Sequence, residues 1–204
     1  MKWTKLHSYA SLGNIPGITK ILLHDKNVDI NCRSAEGGTP FFYAVNGGHV
    51  RAVELLVEFK ANVSISKTDG TSPLHAAAEN NFINIVNILL KQNVDIYAQN
   101  DDGATPLIIA IFHNHFTIAN RLLKADNEMH KLAIICKKDG WCPLHAAIEE
   151  CNVDMVELLL DNGADRISNM DDVYFGNQHK NINDLLSLHQ CSGDLVDLII
   201  ERLA

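Results

Sequence analysis

The residues best suited to chemistry are three cysteines and a histidine between positions 136 and 151. Cys136, Cys142, His145 and Cys151 lie close together in the sequence. Thiolates and imidazoles are ligands that zinc prefers, and a cysteine beside a histidine can form a nucleophilic pair. The Cys142-x2-His145 step, however, lacks a second C-x2-C or H-x3-H pair, and no orienting or oxyanion-stabilising element is evident. We therefore predict no metal and no catalytic residue, and we keep an enzyme or zinc site at these four residues as the alternative.

Motifs for phosphate-containing cofactors are missing as well. Neither G-x-x-x-x-G-K-[ST] nor G-x-G-x-x-G occurs in the chain. The run His113-Asn114-His115 is typical of a polar break between two helices. The sequence therefore predicts no cofactor and no enzymatic activity.

Composition limits the partners and the compartment. The 204 residues include 25 acidic and 17 basic side chains, for a formal charge of −8. An acidic chain repels phosphate, which argues against nucleic acid and anionic membranes as partners. No apolar run is long enough to span a bilayer. The five cysteines are odd in number and irregularly spaced, which favours free thiols in a reducing compartment, and hence a cytoplasmic protein.

The chain repeats itself, and this repetition determines how the residues above are positioned. Four Pro residues follow one another at steps of 33, 33 and 37 residues, and a Gly stands three positions before each. An apolar position that opens a second helical pattern follows each Pro by thirteen residues. The prolines are Pro40, Pro73, Pro106 and Pro143, the glycines Gly37, Gly70, Gly103 and Gly140, and the apolar positions Val53, Val86, Ala119 and Val156.

The repeated unit resembles the ankyrin repeat pattern G-x-T-P-L-H-x-A-A…V-x-L-L-L…G-A-D. The resemblance is carried by Ser72-Pro73-Leu74-His75, Cys142-Pro143-Leu144-His145 and Gly163-Ala164-Asp165. The resemblance runs from about Leu6 to about Asp165. It implies an all-α solenoid of stacked helix-turn-helix units with β-hairpin-like finger loops, forming a single domain over 1–204. The predicted units are an N-terminal capping repeat at 1–33, repeats at 34–66, 67–99, 100–136 and 137–169, and a C-terminal cap at 170–204. Asp184–Leu188 and Leu195–Ile200 are expected to form the helix pair of that cap.

Local chemistry explains how each unit begins. A hydroxyl at the N-cap accepts an unsatisfied N–H, and Pro at the next position has its φ already set, so Ser72-Pro73 predicts a helix start. Cys142 stands in the same slot, where a thiol is a weak acceptor. We therefore expect the helix after Cys142 to be the worst capped, and Cys142→Thr to stabilise it. The resemblance implies that the rings of His75 and His145 bridge backbone groups between loop and helix.

The resemblance also implies a function, namely protein–protein binding through the concave face and the finger loops. Most of the slots on that surface hold polar or acidic residues, which favours a partner with a basic or mixed surface. Phe112 and Trp141 differ, since large aromatic residues in exposed slots make interface hot spots. The alternative is that Trp141 packs on the four-residue insertion within 126–138 and that Phe112 fills the gap beneath it. The predicted partner-binding residues are Glu36, Asn46, Asp69, Glu79, Asn80, Asp101, Asp102, Phe112, His113, Asp139, Trp141, Glu149 and Glu150.

The insertion at 126–138 and the residue Asn31 each have two possible interpretations. Residues 126–138 contain four extra positions, and His130 to Ile135 replace the usual G-A-D turn. This insertion is either a remodelled finger that contacts the partner or a patch that packs on the next repeat. Asn31 resembles the asparagine that a cytosolic oxygenase hydroxylates in some ankyrin repeats; the alternative is a structural hairpin residue.

We interpret the protein as a non-catalytic adaptor, inhibitor or targeting surface, expected to be monomeric. Small ankyrin proteins also occur as effectors that intracellular bacteria deliver into the host cytosol. The richness in Asn, Ile and Lys is compatible with the AT-rich genome of such a bacterium. A third reading, a purely structural piece of a longer array, is disfavoured by the cap-like pattern at both ends.

Overall fold

A computed structural model describes residues 2–25, 27–128, 130–164, 174–175, 178–179 and 193–203. The chain divides into two compact units, residues 1–101 and 102–204. The first contains α1 (Lys5–Ser11), α2 (Ile15–His24), α3 (Pro40–Asn46), α4 (Val50–Glu58), α5 (Pro73–Glu79) and α6 (Ile83–Lys91). The second contains α7 (Pro106–Phe112), α8 (Phe116–Leu123), α9 (Lys131–Ile134), α10 (Pro143–Glu149), α11 (Val153–Asp161) and α12 (Gly193–Leu203), with an antiparallel strand pair, β1 (Tyr174–Phe175) and β2 (Gln178–His179).

The repeat pattern produces antiparallel helix pairs, as the sequence predicts. We call α1, α3, α5, α7 and α10 the first helices, and α2, α4, α6, α8 and α11 the second helices. Within the first unit α1 contacts α3 and α3 contacts α5, while α2, α4 and α6 form the other layer. Within the second unit α7 contacts α10. The predicted all-α class of helix-turn-helix repeats is therefore confirmed, and no described helix has the length and apolarity required to cross a membrane.

Small residues allow the first helices to approach one another. Ala76, Ala77 and Ala78 of α5 are all buried, so this helix brings little side-chain bulk to its neighbours. On α6, Ile85 and Leu89 are fully buried and form the inward stripe of an amphipathic helix. Because a helix pair has only one such stripe and one thin alanine face, its apolar surface is covered by the adjoining pairs.

Hydroxyl caps begin the first helices, again as predicted. The side-chain oxygens of Thr39, Ser72 and Thr105 accept the backbone N–H three residues ahead, at 3.2, 3.4 and 3.3 Å. Among the first helices of the described chain, only α10 begins without a hydroxyl. At that position the backbone N–H of Cys142 donates to Nδ1 of His145 at 3.2 Å. The expected weak cap at Cys142 is thus present, and the histidine bond there equals the one from Ser72 N to Nδ1 of His75, also 3.2 Å.

The N-terminal repeat is better capped than the sequence suggests. Thr4 caps α1, and His7 returns the bond by accepting the Thr4 backbone N–H on Nδ1 at 3.1 Å. The other ring nitrogen of His7 donates to the carbonyl of Gly38 in the next repeat, 3.2 Å away. His7 therefore bridges loop and helix in the manner that we expected only of His75 and His145.

The fingers are the hairpin loops before the first helices. The third finger lies at 99–105, and the first, second and fourth span residues 33–39, 66–72 and 136–142. In each of these last three, a backbone hydrogen bond closes the loop, such as the one from Lys67 N to Thr71 O at 2.9 Å. Gly70 turns the second finger with φ of +77°, a conformation that L side chains rarely adopt.

The insertion at 126–138 folds into a short helix. Leu132 and Ala133 of α9 are buried, and α9 contacts α10 of the following repeat. A carboxylate oxygen of Asp126 accepts the backbone N–H of Leu132 at 2.7 Å and holds the start of the helix. Of the two alternatives for this segment, the packing patch therefore has structural support. For the C-terminal cap, the expected helix at Asp184–Leu188 lies outside the described residues, and α12 contacts α11.

The prediction of free thiols is wrong for the cysteines around the insertion. Cys136 and Cys142 form a disulfide, and Cys151 is also disulfide-bonded, whereas Cys32 is a free thiol. The hairpin geometry of the fourth finger explains why Cys136 and Cys142 pair. A bond from Lys137 N to Trp141 O at 2.7 Å closes that hairpin, so the residues just outside this pair face each other. Irregular spacing along the sequence therefore conceals a close pair in the hairpin.

Candidate functional site

The predicted partner-binding residues are all accessible. Trp141 and Glu149 are half-buried, and the other eleven are exposed: Glu36, Asn46, Asp69, Glu79, Asn80, Asp101, Asp102, Phe112, His113, Asp139 and Glu150. Those of the first unit lie on three finger tips and at the ends of α3 and α5. Those of the second lie on the fourth finger and at the ends of α7 and α10, apart from Asp102.

Neighbouring finger tips are joined by backbone hydrogen bonds. Thr68 N donates to Glu36 O at 3.0 Å, and Asp101 N donates to Asp69 O at 2.9 Å, both within the first unit. The second unit repeats the contact, from Lys138 N to Asp102 O at 3.1 Å. These bonds fix the spacing of the tip side chains, so a partner would meet an ordered row in each unit.

The tips are less acidic than the prediction implies, because lysines pair with the carboxylates. Nζ of Lys67 lies 3.5 Å from Glu36 and 3.3 Å from Asp69. Partial burial works to lower the pKa of Lys67, but its hydrogen bond to Asp69 and the two negative charges outweigh burial and raise that pKa. Burial works to raise the pKa of Asp69, but hydrogen bonds from Thr71 and Lys67 outweigh it and lower that pKa.

The two predicted aromatic anchors meet at one pocket. Phe112 of α7 and Trp141 of the fourth finger line a cavity of about 170 Å³ within the second unit. Ile108, Lys137, Ala146 and Glu149 complete its walls. Phe112 is 60% exposed, while the Trp141 ring lies edge-on to His145, with centroids 6.4 Å apart. A finger and two first helices thus build a single concave feature, which is the shape that an anchor side chain needs.

Sequence reasoning missed an aromatic cluster in the first unit. The Trp3 indole lies 4.7 Å from the Tyr43 ring and 5.1 Å from His7, measured between centroids, and it is 46% exposed. The Tyr43 hydroxyl is hydrogen-bonded to Ser34 of the first finger at 2.9 Å. Tyr43 occupies the slot that Ala76 and Ala146 fill in other copies, so repeat alignment would have revealed it.

The alternative zinc site finds no support in the geometry. Cys136 and Cys142 are bonded to each other, so neither sulfur is a thiolate. No group of three or more His, Cys, Asp or Glu residues in the described ranges is arranged to hold a metal ion. Nδ1 of His145 accepts the Cys142 backbone N–H, and burial lowers the pKa of His145 to about 4. The ring is thus a neutral structural group at neutral pH.

A cysteine and a histidine do meet elsewhere, at the N-terminal repeat. Sγ of Cys32 lies 3.8 Å from Nδ1 of His7 and 3.6 Å from the Thr4 hydroxyl, beside a cavity of about 530 Å³. Burial raises the pKa of Cys32 and lowers that of His7, although hydrogen bonds to each work in the opposite direction. A nucleophilic pair requires the reverse shifts, which favour thiolate beside imidazolium. This pair has the electrostatics of a neutral packing contact.

Asn31, the candidate for hydroxylation, holds two repeats together. Its side-chain oxygen accepts the backbone N–H of Asn62 at 2.8 Å, and its own N–H donates to Asp29 at 2.9 Å. The residue is half-buried. The amide therefore acts as a structural hairpin group, whatever modification it receives.

The comparison with known families decides the identity of these repeats. The family described as Ankyrin repeats (3 copies) matches residues 6–100 and again 92–170, which together cover most of the chain. The chain belongs to the ankyrin repeat family. Ankyrin repeats are generally protein–protein interaction modules and are typically non-catalytic. Among curated proteins, no sequence matches the chain significantly.

Proposed function

We propose that the protein is a non-catalytic binding module that docks a partner protein on its finger tips and first helices. The observation that carries this proposal is the pocket in the second unit, where Phe112 and Trp141 face a common space. An exposed phenylalanine costs solubility without adding to the core, so its position beside a pocket favours a binding role. The partner acts through this contact as a client, an inhibited target or a docking platform.

The partner that fits has a mixed surface with basic and apolar groups. Lys67 and Lys137 neutralise part of the tip charge, while Asp101, Asp102 and Glu150 remain exposed. Acidic residues around an aromatic centre speed the encounter with a basic partner and leave the affinity to the buried contact. We place the module in the cytoplasm as a monomer; if the source is an intracellular bacterium, the same surface would bind a host protein in the host cytosol.

The decisive experiment is affinity capture from cytosol with two matched double variants. Phe112→Ala/Trp141→Ala removes both aromatic walls of the pocket. Trp3→Ala/Phe116→Ala keeps both pocket aromatics and instead removes two aromatic residues outside the pocket that are 46% and 38% exposed. We expect the first variant to lose partners that the parent and the second variant share, after circular dichroism shows that all three are folded.

Two outcomes of the capture experiment would contradict the proposal. If all three proteins capture the same set equally, the binding surface lies elsewhere and the proposal is wrong. If both variants lose the partners equally, the loss is not specific to the pocket and the proposal is wrong as well. Raising the ionic strength should slow association of a genuine partner, because screening weakens attraction between the acidic rim and a basic surface.

A further inference from the structure

The pocket of the second unit has the size of one aromatic side chain. Its volume is about 170 Å³, and an apolar protein cavity of about 150 Å³ holds a benzene molecule. Ile108, Phe112, Trp141 and Ala146 supply apolar walls, and two of these four are aromatic rings. Aromatic pairs gain from edge-to-face and offset contacts beyond simple burial, so these walls favour a ring over a flexible aliphatic chain.

The charges at the mouth of the pocket are not balanced. Nζ of Lys137 lies 3.2 Å from Asp139 on the same finger, so this lysine is already paired. Glu149, the other charged wall, is half-buried, and its carboxylate makes no hydrogen bond or ion pair with any other described residue. A partly desolvated carboxylate beside an apolar cavity favours a cation delivered with the guest.

We propose that this pocket receives one aromatic side chain of a partner protein, with an adjacent arginine or lysine that pairs with Glu149. The proposal rests on the proposed function and adds the chemistry of the guest. Phe112 provides an exposed ring at the rim, and Trp141, held edge-on to His145, provides the wall carried by the finger. Glu149 then selects among aromatic guests by the charge of the neighbouring residue.

Capped tetrapeptides titrated into the full-length, isotopically labelled protein and followed by NMR test this directly. The probes are acetyl-Gly-Trp-Arg-Gly-amide, its Trp-Gln counterpart and its Ala-Arg counterpart, used up to millimolar concentration. We expect the Trp-Arg peptide to shift the resonances of the pocket residues and to bind about two- to five-fold more tightly than the Trp-Gln peptide. The Ala-Arg peptide should bind at least about ten-fold more weakly, because it has no ring.

Matched variants isolate each contribution. Glu149→Gln keeps the shape of the side chain and removes its charge, so the preference for Trp-Arg over Trp-Gln should disappear. Glu157→Gln makes the same change at an exposed residue of α11 outside the pocket, and should leave that preference intact. Phe112→Ala should weaken both tryptophan peptides together.

The proposal is overturned if no peptide binds at millimolar concentration, if the Ala-Arg peptide binds as well as Trp-Arg, or if Glu149→Gln leaves the preference unchanged. These failures are distinct from a failure of the proposed function. Capture that depends on Phe112 and Trp141 while the tetrapeptides fail would keep the binding surface and reject only the aromatic–cation guest.

Discussion

Cys136 and Cys142 face each other across the fourth finger, with Cα atoms 4.0 Å apart and a disulfide between them. Cys142 is also the N-cap residue of α10. Cys142 therefore closes the hairpin through its disulfide and also occupies the N-cap position of α10, where its side chain makes no cap hydrogen bond. In the second finger, Ser66 and Ser72 hold the equivalent positions, and Ser72 only caps.

This double role makes the effect of Cys142→Thr depend on the redox state. Without reductant, the variant loses a cross-link over a short loop, worth roughly 2 kcal/mol, and gains a hydroxyl cap worth about 0.5–1 kcal/mol. The free energy of unfolding should then fall by about 1–1.5 kcal/mol. In reductant the parent has no cross-link to lose, so the variant should be the more stable by about 0.5–1 kcal/mol.

Urea unfolding of the parent and the variant with and without dithiothreitol measures both values. Cys136→Ser serves as the control, since it breaks the same bond without improving the cap. A Cys142→Thr effect of the same sign in both buffers would contradict the assigned bond. In the cytoplasm, where we place the protein, glutathione and thioredoxin keep thiols reduced. The stability order measured in reductant is therefore the one expected there.

His145 makes the fold sensitive to acid. Burial lowers its pKa to about 4 in the folded protein, against about 6.5 in the unfolded chain. As the pH falls below about 6.5, the unfolded chain takes up a proton first, so stability is lost progressively down to about pH 4. The total loss attributable to this ring is roughly 3 kcal/mol.

The matched variant is His145→Ile, because Ile108 fills the same slot in another repeat. The variant loses the bond from Cys142 N and is less stable at neutral pH, so the slope with pH is the relevant quantity. Unfolding free energies measured between about pH 7 and about pH 4.5 should fall less steeply for His145→Ile. Equal slopes would show that His145 does not titrate in this range.

Much of the fold could be predicted because each repeat signal acts locally. Thr39-Pro40 and Ser72-Pro73 start helices through their own hydroxyl and ring, wherever the rest of the chain lies. The aromatic residues of the site were also predictable, since Phe112 and Trp141 stand out in slots that are otherwise polar. Their meeting in one pocket was not, because it depends on how the fourth finger lies against α7 and α10.

The features that sequence analysis missed all join two residues. These residues are either distant in the sequence or brought together by the hydrogen-bond register of a hairpin. Lys67 neutralises Glu36 across 31 residues, and net charge alone cannot reveal this pairing. The Cys136–Cys142 bond depends on the hairpin pairing of Lys137 with Trp141. That register could have been read by aligning the fourth finger with the second despite the intervening insertion.

Lys60 is an unfavourable residue for its backbone conformation. It follows α4 with φ of +63°, and the equivalent residues after α6 and α11 are Asn93 and Gly163. A residue with a side chain costs about 1–2 kcal/mol in this left-handed region. Glycine avoids that strain but loses more conformational entropy on folding, which offsets part of the gain. We expect Lys60→Gly to raise the free energy of unfolding by about 0.5–1 kcal/mol in urea titrations.

Lys91→Gly provides the comparison, because Lys91 is the last residue of α6 and glycine there should cost up to about 1 kcal/mol. If the free energy of unfolding rises for Lys60→Gly and falls for Lys91→Gly, the gain at Lys60 comes from its left-handed backbone conformation. A loss at both positions would mean that Lys60 makes a favourable contact that outweighs its strain.

Gly70 carries the opposite constraint, because its turn admits no side chain. Its φ is +77°, and a Cβ added there would lie 2.9 Å from the Cα of Asn100 in the next finger. Backbone cannot move aside as a flexible side chain can, and Thr71 N is tied to Asp69 in the same turn at 2.9 Å. Gly70→Ala should therefore destabilise the protein by roughly 2 kcal/mol or more, measured by urea unfolding.

Gly193→Ala is the control for this change. Gly193 begins α12, and no atom of the residues that the structure describes lies within 4 Å of a Cβ built there, so alanine should be neutral or slightly stabilising. The spacing of the finger tips offers a second readout, since the bond from Asp101 N to Asp69 O lies beside the clash. Amide exchange at Asp101 should accelerate more than exchange in α3 or α5. A Gly70→Ala protein with unchanged stability and unchanged exchange at Asp101 would show that the fingers are not packed backbone against backbone.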